Sequence, residues 1–111
     1  MSARIDRFKK LVEIEPNSEI SQFSLGSVYY DEEIFEQAIE CFRKAIDFKP
    51  DYTAAYELLG RSLEKTGQLD EARLTYQKGL VIGRKTGDHI PTQKMEDRLR
   101  RLDKNSGKQA S

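Results

Sequence analysis

Residues 22–30 read QFSLGSVYY, and 34 positions on, residues 56–64 read YELLGRSLE. The first reads as an apolar helical segment, and both set a glycine, Gly26 or Gly60, near the middle. Glycine inside a helix is unfavourable by about 1 kcal/mol relative to alanine. A glycine that returns at one spacing therefore marks a place where a neighbouring helix must come close. Ala38 and Ala72, the small residues one helix further on, are placed to meet it.

The register extends outward from these glycines. Leu25 falls on Leu59, Phe42 on Tyr76, Ile46 on Leu80 and Phe48 on Ile82. One period upstream, Phe8 falls on Phe42, Val12 on Ile46 and Pro16 on Pro50, so the repeat begins with a half unit. Each period holds two helical patterns: in 34–48, Phe35, Ala38, Ile39, Phe42, Ala45, Ile46 and Phe48 recur at three and four, which is one buried face. Pro16 with Asn17 and Ser18, Pro50-Asp51, and Thr66-Gly67 supply the stops and caps between them. The spacing predicts six helices, near 3–14, 18–31, 34–48, 52–65, 68–84 and 89–103, with the fifth running on to Lys85 or Thr86 before Gly87 stops it.

Gln22-x2-Leu25-Gly26-x2-Tyr29, followed by Ala38-x3-Phe42 and Pro50, resembles the tetratricopeptide repeat, and a second copy runs Tyr56-x2-Leu59-Gly60-x2-Leu63 to Ala72-x3-Tyr76. The resemblance implies an all-α fold, a right-handed superhelical solenoid of about six antiparallel helices. It divides a single domain, 1–104, into an amino-terminal half repeat (1–16), two full repeats (19–52 and 53–86) and a C-terminal capping helix (88–104). The tail 105–111, NSGKQAS, is expected to be disordered. Gln22 stands where the family prefers tryptophan, Leu63 where it prefers tyrosine, Gly79 where it prefers alanine, and Arg84 where proline would close the repeat.

Composition narrows the function. The 111 residues are 37% apolar and 34% charged, the balance of a helical protein with a well-solvated surface. Nineteen basic and nineteen acidic side chains cancel, so neither nucleic acid nor an anionic membrane is an expected partner. The first ten residues, MSARIDRFKK, hold no apolar run of signal or membrane length, and a cytoplasmic location is the expectation. Cys41, the single cysteine, has no disulfide partner and reads as a partly buried, unreactive thiol. His89, the single histidine, reads as a polar turn residue. No nucleophile stands beside a base, so the chain is expected not to be an enzyme, with no catalytic residue, no cofactor and no metal. The acid pairs Glu32-Glu33 and Asp70-Glu71 read as helix starts that complement the dipole. In the last helix, Pro91, Met95, Leu99 and Leu102 form a docking stripe, while Lys94, Arg100, Arg101 and Lys104 face water.

Tetratricopeptide repeats typically bind peptides or partner domains on the concave face made by the first helix of each pair. On that resemblance the groove residues are Ile20, Phe23, Ser27 and Tyr30, with Asp31, in the first repeat, and Ala54, Glu57, Arg61 and Lys65, with Glu64, in the second. The competing reading is that Phe23 and Tyr30 pack beneath the end helices while the charges are merely solvated. Phe23 and Ser27 occupy the spacing where a carboxylate clamp for acidic chaperone tails would carry lysine and asparagine, and Glu57 adds a repulsive charge, which argues against that ligand. Arg61 and Lys65 remain able to pair with one acid of a partner. The expected function is a non-catalytic adaptor or scaffold that binds a protein or peptide. The alternative is a structural module that self-associates through its terminal helices, and the expected state is a monomer or weak homodimer.

Overall fold

A computed structural model describes the backbone of residues 2–110 and the side chains as far as Asn105; positions 1 and 111 lie outside the described residues. Among the described residues six helices follow one another: α1 (Ala3–Ile14), α2 (Glu19–Asp31), α3 (Phe35–Phe48), α4 (Thr53–Lys65), α5 (Leu69–Thr86) and α6 (His89–Ala110). The starts of α1 and α2 are set by serine caps, Ser2 Oγ accepting from the Ile5 amide at 3.3 Å and Ser18 Oγ from the Ser21 amide at 3.1 Å. Gly87, at φ 78°, ends α5 one residue after Thr86, as its position foretold. The backbone of α6 is helical past the boundary expected near 104; the tail expected at 105–111 falls, from 106 on, outside the described side chains.

Glu32 and Glu33 are placed otherwise than expected. They close α2 rather than simply opening α3: Glu32 is the C-cap, and Glu33 takes the left-handed conformation at φ 62°. The Ile34 amide then donates back to the Tyr29 carbonyl at 2.8 Å, which satisfies an end carbonyl of α2. The second repeat closes α4 in the same way, with Gly67 at φ 80° and the Gln68 amide on the Leu63 carbonyl at 2.9 Å.

The repeat register returns in the packing. Gln22 Nε2 donates to the Pro16 carbonyl at 3.5 Å, and its equivalent Tyr56 donates through its hydroxyl to the Pro50 carbonyl at 2.9 Å. Each of these polar tips ties a first helix to the turn ahead of it. At both of these glycines the nearest atom belongs to an aromatic ring. A Cβ on Gly26 would stand 2.8 Å from Phe42 Cε1, and one on Gly60 would stand 2.2 Å from Tyr76 Cε1. The space left by the missing side chain is filled by an aromatic ring of the second helix. Phe42 and Tyr76 are thereby fully buried, and burial of a side chain of this size is worth roughly 1.5–3 kcal/mol.

The hairpins α2/α3 and α4/α5 stack, with α1 against α2 at one end and α6 against α5 and α4 at the other. The backbones of the first helices come close along the stack, α2 to α4 and α4 to α6, whereas those of α3 and α5 stay further apart. A layer held close on one side and apart on the other curves toward the close side. The inner face therefore belongs to α2, α4 and α6. The last helix seats as expected, with Met95 and Leu102 buried, Pro91 and Leu99 half-buried, and Lys94, Arg100, Arg101 and Lys104 exposed. No helix among the described residues is long and apolar enough to cross a membrane.

Candidate functional site

The inner face begins at the start of α2. Ile20 is 64% exposed, although isoleucine is a side chain that folding normally covers. One turn on, Phe23 is half-buried, its ring stacked on Tyr52 at 4.8 Å between centroids and 25° between planes, and tilted against Phe42 at 5.7 Å. Ala54 is half-buried beside Tyr52 in sequence. Ile20, Phe23, Tyr52 and Ala54 make this end of the face apolar.

Further along, the character changes. Ser27 is occupied within its own helix, its hydroxyl donating to the Phe23 carbonyl at 2.9 Å. Tyr30 meets Phe35 edge-on at 5.4 Å, and the guanidinium of Arg61 lies 5.3 Å from the centre of its ring. Arg61 also donates to Glu57 at 3.4 Å, one turn back on α4. Glu57 is 5% exposed, so it does not present its charge to a partner as expected; it is buried as the counter-ion of Arg61. Burial works against the Arg61 charge, but Glu57 and Tyr30 together outweigh it and raise the guanidinium pKa above its usual value. The Nε of Arg61 is buried with no hydrogen-bond partner among the described residues. Lys65 is exposed at the end of α4.

The structure thus joins Phe23 to the aromatic end and Tyr30, Glu57 and Arg61 into one cluster across α2 and α4, while Ile20 and Lys65 stand at the two extremes. Phe23 and Tyr30 do pack, their rings meeting Tyr52, Phe42, Phe35 and Arg61. Two contributors were not foreseen. Tyr52 precedes α4 at a position whose repeat equivalent is Ser18, so periodicity gave no reason to look there. Arg98 of α6 donates to Glu64 at 3.3 Å, and the buried hydroxyl of Tyr76 donates to the same carboxylate. Burial, and then the Glu64 carboxylate, push the Tyr76 hydroxyl far above the usual tyrosine range.

Elsewhere, Cys41 is buried, and burial raises its thiol to about 11. His89 opens α6 in an exposed position. No group of three or more His, Cys, Asp or Glu side chains among the described residues could hold a metal ion.

A curved stack of helix hairpins with a 34-residue register defines a tetratricopeptide repeat solenoid, and the chain belongs to the tetratricopeptide repeat family: the family's TPR repeat profile matches residues 26–67. A TPR repeat-containing protein of Pseudomonas aeruginosa is 29% identical over 100 residues, covering 90% of this chain and 95% of its own. A Bordetella parapertussis protein, known from its solution structure, is 30% identical, with a TM-score of 0.81 over 95% of this chain and 91% of its own. The peroxisomal targeting signal receptor of Eremothecium gossypii is 33% identical over 72 residues, 65% of this chain but 12% of the receptor. The chain thus spans almost all of the Pseudomonas relative and about a tenth of the fungal receptor. Its class is that of protein–protein interaction modules.

Proposed function

We propose that the chain is a non-catalytic adaptor that seats a peptide or a segment of a partner protein on the inner face of α2, α4 and α6. The observation that carries this is Ile20, an exposed isoleucine continuous with the Phe23–Tyr52 stack on the concave side, with no part of the described chain covering it. An apolar anchor with a polar surround is the usual anatomy of a recognition patch. The charges beyond it are largely neutralised in place, Glu57 by Arg61 and Glu64 by Arg98, so the groove favours a segment that leads with an apolar side chain. Lys65, left exposed, orients that segment through an acid. The match to part of a receptor for a targeting signal supports the same reading.

Because Phe23 is packed, Ile20 and Lys65 are the better probes. Peptides selected from a displayed library on the immobilised protein are expected to lose about tenfold or more in affinity to Ile20→Glu, and less to Lys65→Glu. Both variants should keep the wild-type thermal melt, since neither side chain is buried. Selected peptides that bind Ile20→Glu as well as wild type would overturn the assignment.

A further inference from the structure

The opposite, outer face carries a feature that groove binding does not use. Because α3 and α5 stay apart on the convex side, a cleft of about 500 Å³ opens between them with α4 as its floor. Ile46, Leu59 and Leu74 give it an apolar centre. Leu74 is 61% exposed, and Val81, two turns further along the same side of α5, is 54% exposed. Arg43 on α3 reaches across to Glu71 on α5 and closes one end. Beyond that pair, Asp47 stands on the α3 wall and Lys78 on the α5 wall, neither with a hydrogen-bond or ion-pair partner among the described residues.

We infer that this face pairs with a second copy of the chain about a two-fold axis lying along the cleft. Such an axis exchanges the walls, so α3 of one copy faces α5 of the other. Each Asp47 then meets the other copy's Lys78, and each Leu74 reaches into the other copy's cleft. An isologous interface requires a patch complementary to itself. An apolar centre, with the acid on one wall and the base on the other, meets that requirement, and the formal net charge of zero adds no repulsion between copies. The two ion pairs lie at the rim and set orientation more than strength, so Leu74 carries the affinity.

Sedimentation velocity between about 1 μM and about 1 mM tests this. The mass is expected to rise from the 12.8 kDa of one chain toward twice that value. Leu74→Glu should weaken the dimer at least tenfold. Asp47→Lys and Lys78→Asp should each weaken it by roughly threefold to tenfold, and the double variant should restore it, because both walls then change sign together. Restoration cannot come from misfolding, which keeps the test decisive if Leu74→Glu alters the fold. Ile20→Glu, on the other face, should leave the dimer unchanged. A monomer throughout the range would overturn the inference. So would a dimer indifferent to all three outer-face changes and lost in Ile14→Glu, since Ile14, 74% exposed, would place association on α1.

Discussion

At the scale of the residue, Glu33 shows how closely the two repeats obey one geometry and where one of them departs from it in composition. It occupies the position of Gly67 in the second repeat, and both backbones are left-handed, at φ 62° and φ 80°. That conformation is unfavourable for a residue with a Cβ by roughly 1 kcal/mol and neutral for glycine. The Glu33 side chain makes no hydrogen bond or ion pair among the described residues, so glycine would forfeit little there. Glu33→Gly is therefore expected to stabilise the fold by about 0.5–1 kcal/mol, a rise of a few degrees in Tm by calorimetry. A lower Tm would mean that Glu33 acts through its side chain instead. The candidate site was legible to a similar depth. The repeat placed Phe23, Tyr30, Glu57 and Arg61 on one face, but it assigned the charges of Glu57 and Arg61 to a partner, whereas the two residues, four apart on α4, neutralise each other. What it did not reveal was depth: Glu57 is 5% exposed, and Tyr52 reaches Phe23 only once the linker has turned α4 back alongside α2.

At the scale of the element, the first five helices were readable to within a residue or two because the 34-residue register sets their order and each has its own stop, down to Gly87 after Thr86. The sixth was harder, since 87–111 lacks the repeat and left its docking stripe as the main guide. Its seat on α5 is made by two glycines one turn apart. A Cβ on Gly79 would stand 2.5 Å from Met95 Sδ and 2.8 Å from Tyr56 Cβ, and one on Gly83 would stand 2.0 Å from Thr92 Oγ1. The sequence marks Gly79 only as a departure from the family's alanine and gives Gly83 no role, yet both serve the approach of α6. Helix propensity favours Gly79→Ala by about 1 kcal/mol. Met95 can swing its thioether aside, but Tyr56 Cβ is fixed to its backbone, and overpacking of this sort costs typically 1–3 kcal/mol. The second effect wins where the contact cannot relax. Gly79→Ala should lower stability and speed hydrogen exchange in the α6 amides ahead of those in α2 and α3. A variant more stable than wild type would show that the approach of α6 is looser than the geometry states.

At the scale of the whole molecule, curvature and acid–base behaviour arise from the same packing. First helices whose backbones come close and second helices whose backbones stay further apart create an inner face for a ligand and an outer cleft, and they also bury the rings and thiol that lie between the layers. Cys41 is raised to about 11 by burial, Tyr52 and Tyr56 are raised by burial, and Tyr76 is raised by burial and by the Glu64 carboxylate. All four are neutral in the folded state, and burial disfavours their ionised forms. Once unfolded, the chain releases these protons near pH 9 to 10, while the folded chain holds them to higher pH. Stability is thus fully present below about pH 9 and falls as pH rises beyond it, because the folded state binds more protons there. Cys41 and Tyr76, the most deeply buried of the four, should each steepen the fall by about 1 kcal/mol per pH unit above the unfolded pKa. Thermal melts from pH 7 to 11 are expected to be level up to pH 8.5 and to decline above pH 9. In Tyr76→Phe, which keeps the ring and removes the ionisable hydroxyl, the decline should be shallower even though the neutral-pH Tm drops with the lost hydrogen bond to Glu64. Curves for wild type and Tyr76→Phe that stay parallel across the alkaline limb would show that Tyr76 titrates no differently in the folded and unfolded chains.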